Sequence, residues 1–344
     1  MTNELIKWLD LIGVHFGING NVHASKMLKS RGGDIIVINT DNEKYVGKVV
    51  SKYGMDQLDK KDQIEFIQEV LEIIHKDISA LAKPIKTLNG EYFVMTDDKY
   101  LIVNTFLPGS SKSDWTTEEK FRVGQIVASF HSQSVEELPD IQRGYDFDLF
   151  NRISNSPFKK VFTPDLVRKY VHIFEWIRSN FEEKIKSSSI GLIHGDLIYT
   201  NILFDDTSNI YIVDYEFFGC SYIAFDLGTF LGSYRYFSRD ELDLYPIIEG
   251  YNSIRSISSD EFELLPVMEV LRFLLMLIPQ AISYKNADQL PSDQVEKRRN
   301  RLLERVDTIL IHCEKLLDII KQSNGQVIDA YYKLNFENSQ YTFL

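Results

Sequence analysis

Near residue 110 the apolar residues of this 344-residue chain pass from a mainly strand-like to a mainly helical rhythm, and that change limits the folds open to it. Before it, HASKMLK, DIIVINT and KYVGKVV are short runs rich in Val, Ile and Tyr, separated by SRGGD and DNE. Gly, Asp and Asn between such runs are turn formers, so three successive antiparallel strands are expected. DQIEFIQEVLEIIHKDI then sets Ile64, Ile67, Leu71, Ile74 and Ile78 three or four apart, which is one stripe of a helix. GEYFVMTD and YLIVNTFLPG restore the strand pattern. Residues 20–108 therefore read as a small antiparallel sheet, preceded by one helix and interrupted by another after its third strand.

From about Thr116 the spacing turns helical through FRVGQIVASFHSQ, PDLVRKYVHIFEWIRSNFEEKI, DELDLYPIIEGYNSI, the 263–284 stretch and VEKRRNRLLERVDTILIHCEKLLDIIKQ. FLPGSSKSDW (106–115) is the one hinge-like segment. The expected architecture is α+β with two lobes: a β-rich lobe over 1–107 and a larger, mainly helical lobe over 108–344. A net charge of −12 argues against nucleic acid, whose phosphates need Lys and Arg. The same charge suits a cationic small molecule, though an acidic surface also serves solubility. Cys220 and Cys313 are too few and too far apart for a disulfide scaffold or a zinc site.

MTNELIKWLD lacks the basic start and apolar run of a signal peptide. VMEVLRFLLMLIPQAI is broken by Glu269, Arg272 and Pro279, short of the ~18–20 apolar residues of a membrane span. A buried helix in a cytoplasmic protein, monomeric or weakly dimeric and without a membrane partner, is expected.

The chemistry concentrates in HGDLIYTNILFDDTSNIYIVD, His194 to Asp214. ILF and IYIV are strand-like, and DDTSN between them is a run of turn formers. A turn centred near Thr207–Ser208 makes opposite residues sum to about 415, so that Leu203 faces Ile212 and Asn201 faces Asp214. An amide oxygen beside a carboxylate suits Mg²⁺, which takes one or two protein carboxylates and leaves its other positions to water and phosphate. Asp196, five residues before Asn201, is placed to accept a proton from a hydroxyl.

His194-Gly195-Asp196 followed by Asn201 resembles the H-G-D-x-x-x-x-N loop of the aminoglycoside phosphotransferase and choline kinase family, which has a protein-kinase-like fold. IVDYEF (212–217), AFDLGTFL with Asp226, VGQIVASFHS with Gly124, Ala128 and His131, and LIVNTFLPG with Gly109 continue the likeness. SRGGDIIVINTDNEKYVGKVV resembles the nucleotide loop and the strands that follow it, so the matches run in order from about residue 28 to 231. Gly47, before Lys48, departs from the bulky apolar residue usual in the family.

The resemblance implies an ATP- or GTP-dependent small-molecule kinase. Asp196 would be the base, and Asn201 and Asp214 the Mg²⁺ ligands. Lys48 would lie on the α/β-phosphates and pair with Glu69 or, as second choice, Glu65. Gly32 and Gly33 would form the phosphate loop, and the backbone from Asn104 through Phe106 to Leu107 would meet the base of the nucleotide. Acidic residues between Arg239 and Arg272 favour an aminoglycoside-type acceptor. Choline, ethanolamine, homoserine and sugars are the alternatives, and a solvated acidic helix face explains the same charges. Two further readings stay open: a kinase-like binding or spore-coat protein without turnover, and a metal-dependent phosphohydrolase using His194, Asp196 and Asp214. The phosphohydrolase needs more clustered His and Asp ligands than the sequence offers.

Overall fold

The β-branched runs before residue 110 pair as their spacing predicts. The computed structural model describes residues 3–18, 23–30, 33–52, 59–134, 149–237, 244–289 and 292–322. Two compact units emerge, the first mainly Met1–Lys112 with Thr200–Gly219, the second mainly Ser113–Ser132, Asp146–Tyr199 and Cys220–Leu344.

In the first unit, β1 (His23–Ser30), β2 (Gly33–Asn39), β3 (Lys44–Ser51), β4 (Phe93–Met95) and β5 (Lys99–Thr105) form one antiparallel sheet in the order β1-β2-β3-β5-β4. The leading helix α1 (Asn3–Phe16) buries Leu5, Trp8, Ile12 and Phe16 in one core with Ile36, Ile38, Val49, Leu101 and Val103. Each such side chain contributes about 1.5–3 kcal/mol by leaving water. Alternation along the strands puts these residues on one face of the sheet and leaves Lys48 to the other. The unusual Gly47 belongs to that covered face. A Cβ there would lie 3.5 Å from Ile12 Cδ1, so the leading helix fills the space a larger side chain would take. Helix α2 (Lys61–Ile74) follows β3.

Strands β7 (Ile202–Phe204) and β8 (Ile210–Ile212) form the expected hairpin, one step away from the expected register. The pairs are Ile202–Ile212, Leu203–Tyr211 and Phe204–Ile210, so opposite residues sum to 414 and not about 415. The cause is an odd-length loop. Ser208 takes a left-handed φ of 63°, the Asp205 amide donates to the Asn209 carbonyl at 3.1 Å, and the turn centres on Thr207 itself. The Asp205 carboxylate fixes this loop, accepting from the amides of Thr207 and Asn209 at 2.9 and 2.8 Å.

The second unit is mainly helical: α3 (Thr117–His131), α4 (Leu149–Ser154), α5 (Phe158–Val161), α6 (Pro164–Lys186), α7 (Ile223–Phe237), α8 (Tyr245–Asn252), α9 (Ser259–Lys285) and α10 (Ser292–Gln322). A short strand β6 (Ile190–Ile193) leads into the His194 loop and pairs with β9 (Gly219–Tyr222). Thr116 with Glu119, and Ser258 with Glu261, form reciprocal capping boxes that start α3 and α9. The greasy 267–282 stretch is the middle of α9, packed against α7 and α10, with Leu271, Leu274 and Leu277 fully buried. Among the described residues no helix is long and apolar enough to cross a membrane.

Helices α3 and α8 meet backbone to backbone. A Cβ on Gly124 would lie 2.1 Å from the Ile247 carbonyl oxygen, and one on Gly250 1.9 Å from the Phe121 oxygen. Neither obstacle can swing away, because both are main chain. Gly124→Ala is therefore expected to destabilise the protein by about 1–3 kcal/mol despite Ala's better helix propensity. Chemical denaturation reads this directly, and a variant as stable as the parent would show that the helices separate at little cost.

Candidate active site

Lys48, in the middle of β3, sends its ammonium to the end of the hairpin. Its Nζ lies 2.7 Å from Asp214 Oδ1 and 3.6 Å from Glu216 Oε2. Burial works to lower the Lys48 pKa, but the two carboxylates outweigh it and hold the ammonium above its ordinary value. Glu216 is fixed in turn by helix α2 and the residue before it: Lys60 Nζ stands 3.2 Å from Oε1, and Gln63 Nε2 donates to the Glu216 carbonyl at 2.7 Å. In this structure the ion partners of Lys48 are Asp214 and Glu216, and Glu65 forms an i,i+4 pair with Lys61. Lys60, just before α2, and Gln63 of its first turn both reach Glu216.

Asp214 has φ 67° and ψ 62°, a left-handed conformation that a carboxylate residue adopts at some cost. The strain is held by its neighbours. The Val213 amide donates to the Asn201 carbonyl at 3.0 Å, and the Ile212 amide donates to Ala80 at 2.9 Å. The buried Tyr215 hydroxyl accepts from the Ala82 amide at 3.0 Å and donates to the Ile212 carbonyl. Asn201 thus stands opposite Val213 and Asp214 one residue beyond. Both remain at the same end of the hairpin, Asn201 buried and the Asp214 side chain 46% exposed.

Among the other expected nucleotide residues, Gly32 lies outside the described residues. Gly33 opens β2 with φ 134°, and a Cβ there would sit 2.4 Å from the Val49 carbonyl oxygen, so the backbone itself requires glycine. Asn104 pairs with Val46 on β3 and forms a bridge to Pro84. Phe106 donates its amide to the Lys44 carbonyl at 3.0 Å. Among the described residues the Leu107 amide makes no backbone hydrogen bond, which leaves a main-chain donor just past the end of β5.

In the second unit the His194–Asp196 loop is held from below by Asp226, which is fully buried. Its carboxylate accepts the His194 amide at 2.7 Å and the Gly195 amide at 3.0 Å, and it meets His131 Nε2 at 3.1 Å. His131 Nδ1 lies 2.9 Å from the Tyr251 hydroxyl, which takes a hydrogen bond from Arg255 Nη1 at 3.2 Å. Asp196 itself projects from this braced loop, its side chain 19% exposed, and its Oδ1 accepts a hydrogen bond from Arg272 Nη2 of α9. Sequence reasoning treated Arg272 only as a break in an apolar run. The available signal was its isolation, as the only Lys or Arg between Arg255 and Lys285.

Comparison with known proteins places the fold. A family model described as choline/ethanolamine kinase matches residues 116–256. No curated protein matches the chain. Among solved structures, a microcompartment-associated aminopropanol kinase superposes with a TM-score of 0.67 at 14% identity, covering 94% of this chain and 98% of that one. The choline kinase LicA from Streptococcus pneumoniae gives 0.59 at 14% identity, covering 89% and 98%. An amicoumacin kinase in complex with AMP-PNP and Ca²⁺ gives 0.62 at 13%, covering 89% and 96%. At these identities the superpositions speak for the fold, and the family match covers less than half of the chain. The chain has a protein-kinase-like fold, and over residues 116–256 it resembles the choline/ethanolamine kinases, which are phosphotransferases with a hydroxyl acceptor.

Proposed function

We propose that the chain transfers the γ-phosphoryl group of ATP, or of GTP, to a hydroxyl of a small molecule, with Asp196 as the base. The acceptor oxygen forms a bond to the γ-phosphorus, the bond from that phosphorus to the β–γ bridging oxygen breaks, and the nucleoside diphosphate leaves. The hydroxyl proton goes to Asp196. The observation that carries this reading is the Lys48–Asp214–Glu216 cluster, a cation held among carboxylates at the end of a hairpin. Lys48 would bind α/β-phosphate oxygens, and Asn201 and Asp214 would hold Mg²⁺. Their oxygen donors, and the exposure of Asp214, fit an ion that completes its shell from water and phosphate. Such an ion neutralises charge on the phosphates. Gly33 and the chain from Asn104 through Phe106 to Leu107 would line the nucleotide.

The acidic residues behind an aminoglycoside-type acceptor are largely engaged within the chain. Glu261 caps α9 and holds Arg255 at 2.7 Å, while Asp260 and Glu263 both hold Lys184. Asp240, Glu241 and Asp243 lie outside the described residues. The aminoglycoside reading keeps the support of the net charge of −12, and choline, ethanolamine, homoserine and sugars stand beside it. Release of ADP from ATP and Mg²⁺ against a panel of all five classes tests the function. Turnover with one class identifies the acceptor, and nucleotide binding without turnover across a wide panel would replace the reading by a kinase-like binding protein.

Lys48→Ala removes a charge-assisted phosphate contact worth about 1.5–3 kcal/mol. Its expected signature is a rise of about 10- to 100-fold in the KM for ATP, with the acceptor KM much less affected. An unchanged nucleotide KM and kcat would show that the Lys48 cluster is only an ion pair.

A further inference from the structure

Arg272 presents a positive charge at the atom where acceptor chemistry would take place. Along α9 its neighbours Leu271, Leu274 and Leu275 are buried, yet the Arg272 side chain keeps 21% of its surface and Asp196 keeps 19%, so a solute can reach both. As a structural device the pair is poor. Desolvation of two partly buried ions roughly cancels their attraction, and an apolar residue would continue α9 as well. The guanidinium is also half used. Nη2 is spent on Asp196 Oδ1, whereas Nε is buried with no hydrogen-bond partner among the described residues. Nε and Nη2 together make the side-on fork by which arginine grips both oxygens of a carboxylate or phosphate. Nη2 of that fork is engaged and Nε is buried, so an incoming oxyanion reaches the guanidinium from its exposed side.

We infer that Arg272 is an acceptor-specificity residue, and that the acceptor carries an oxyanion, a carboxylate or a phosphate, which pairs with the guanidinium while its hydroxyl faces Asp196. The inference rests on the phosphotransfer reading with Asp196 as base. A reacting hydroxyl must come within about 2.6–3.2 Å of an Asp196 oxygen, and Arg272 already hydrogen-bonds that same carboxylate. The oxyanion therefore lies only a few atoms from the hydroxyl, as in a short hydroxy acid or a phosphorylated short polyol. An ammonium at that position would meet a like charge, so the same residue selects against amino alcohols and aminoglycosides. The net charge of −12 acts over the whole surface, whereas Arg272 supplies a local cation beside Asp196.

The test measures kcat and KM with ATP and Mg²⁺ for D-glycerate, L-homoserine, glycerol 3-phosphate, glycerol, choline and kanamycin. It compares the parent, Arg272→Gln, Arg272→Lys and Arg272→Met, the last keeping α9 apolar should Gln fail to fold. The parent is expected to prefer an oxyanion acceptor over glycerol, and the glycerate and glycerol 3-phosphate arms separate carboxylate from phosphate. Arg272→Gln or Met is expected to raise the KM for that acceptor about 10- to 100-fold and to abolish the preference, with Lys intermediate. Turnover confined to choline or kanamycin overturns the inference and leaves the phosphotransfer reading standing. An equal loss of kcat for every acceptor also overturns it, since that is the mark of a brace for Asp196. If nothing turns over, calorimetric titration of the same compounds in the presence of AMP-PNP decides. Oxyanion binding lost in Arg272→Gln supports the inference while the phosphotransfer reading fails, and no oxyanion binding to the parent overturns it.

Discussion

Asp196→Asn is expected to lower kcat by about 10²- to 10⁴-fold and to leave the affinity for a non-hydrolysable nucleotide nearly unchanged. Asparagine keeps the shape of the side chain and still offers Oδ1 to Arg272, so the loop and α9 lose little. What disappears is the basic oxygen that, in the proposed reaction, would take the proton from the hydroxyl as its oxygen attacks phosphorus. The amide cannot accept that proton at any ordinary pH. Asp196→Ala is a worse experiment, because it also strands the partly buried Arg272 charge and mixes a structural cost with the chemical one. Steady-state kinetics and calorimetric titration of AMP-PNP on the Asn variant separate the two effects. Full kcat in that variant would remove Asp196 from the reaction, whatever the fold says.

The elements that could be read from the sequence are those whose signal is local. The stripe of Ile64, Ile67, Leu71 and Ile74 needs no information from elsewhere to declare α2, and the alternation of Ile36 and Ile38 declares a face of β2. The hairpin was legible as a hairpin, but its register depended on one residue, Ser208, adopting a left-handed φ that the composition of the turn allows without requiring. Long-range pairing was the least visible part. Glu216 reaches Lys48 and Lys60 across more than 150 residues of sequence, and the sequence offers no means to prefer it over two glutamates on the neighbouring helix. Arg272 was hidden for a related reason. A lone charge in an apolar helix reads as an interruption until the fold shows which carboxylate it meets.

Asp226 gives the converse of the Asp196 case, because there the Asn substitution is expected to be severe. Every neighbour that the Asp226 carboxylate meets is a donor: the His194 and Gly195 amides and His131 Nε2. The donors form an ordered chain in which Arg255 donates to Tyr251, Tyr251 to His131 and His131 to Asp226, with the His131 tautomer assigned from that order. An amide at 226 would turn an NH₂ group toward one of these donors, leaving two buried polar groups without acceptors. Asp226→Asn and Asp226→Ala are both expected to cost about 3–5 kcal/mol and to lower the thermal midpoint by on the order of 10 °C. Burial pushes the Asp226 pKa up, but the His131 contact and the charge and amide of His194 outweigh it and hold the carboxyl below its ordinary value. The sign follows from linkage. A carboxyl with a depressed pKa contributes stability that is fully present above its unfolded value of about 4 and is lost as pH falls through the folded value. Thermal midpoints taken from neutral pH down to acid should therefore fall more steeply in the parent than in Asp226→Asn, and the gap between them should narrow. Parallel curves would mean that Asp226 titrates alike in the folded and unfolded chain, and the brace under the Asp196 loop would have to come from elsewhere.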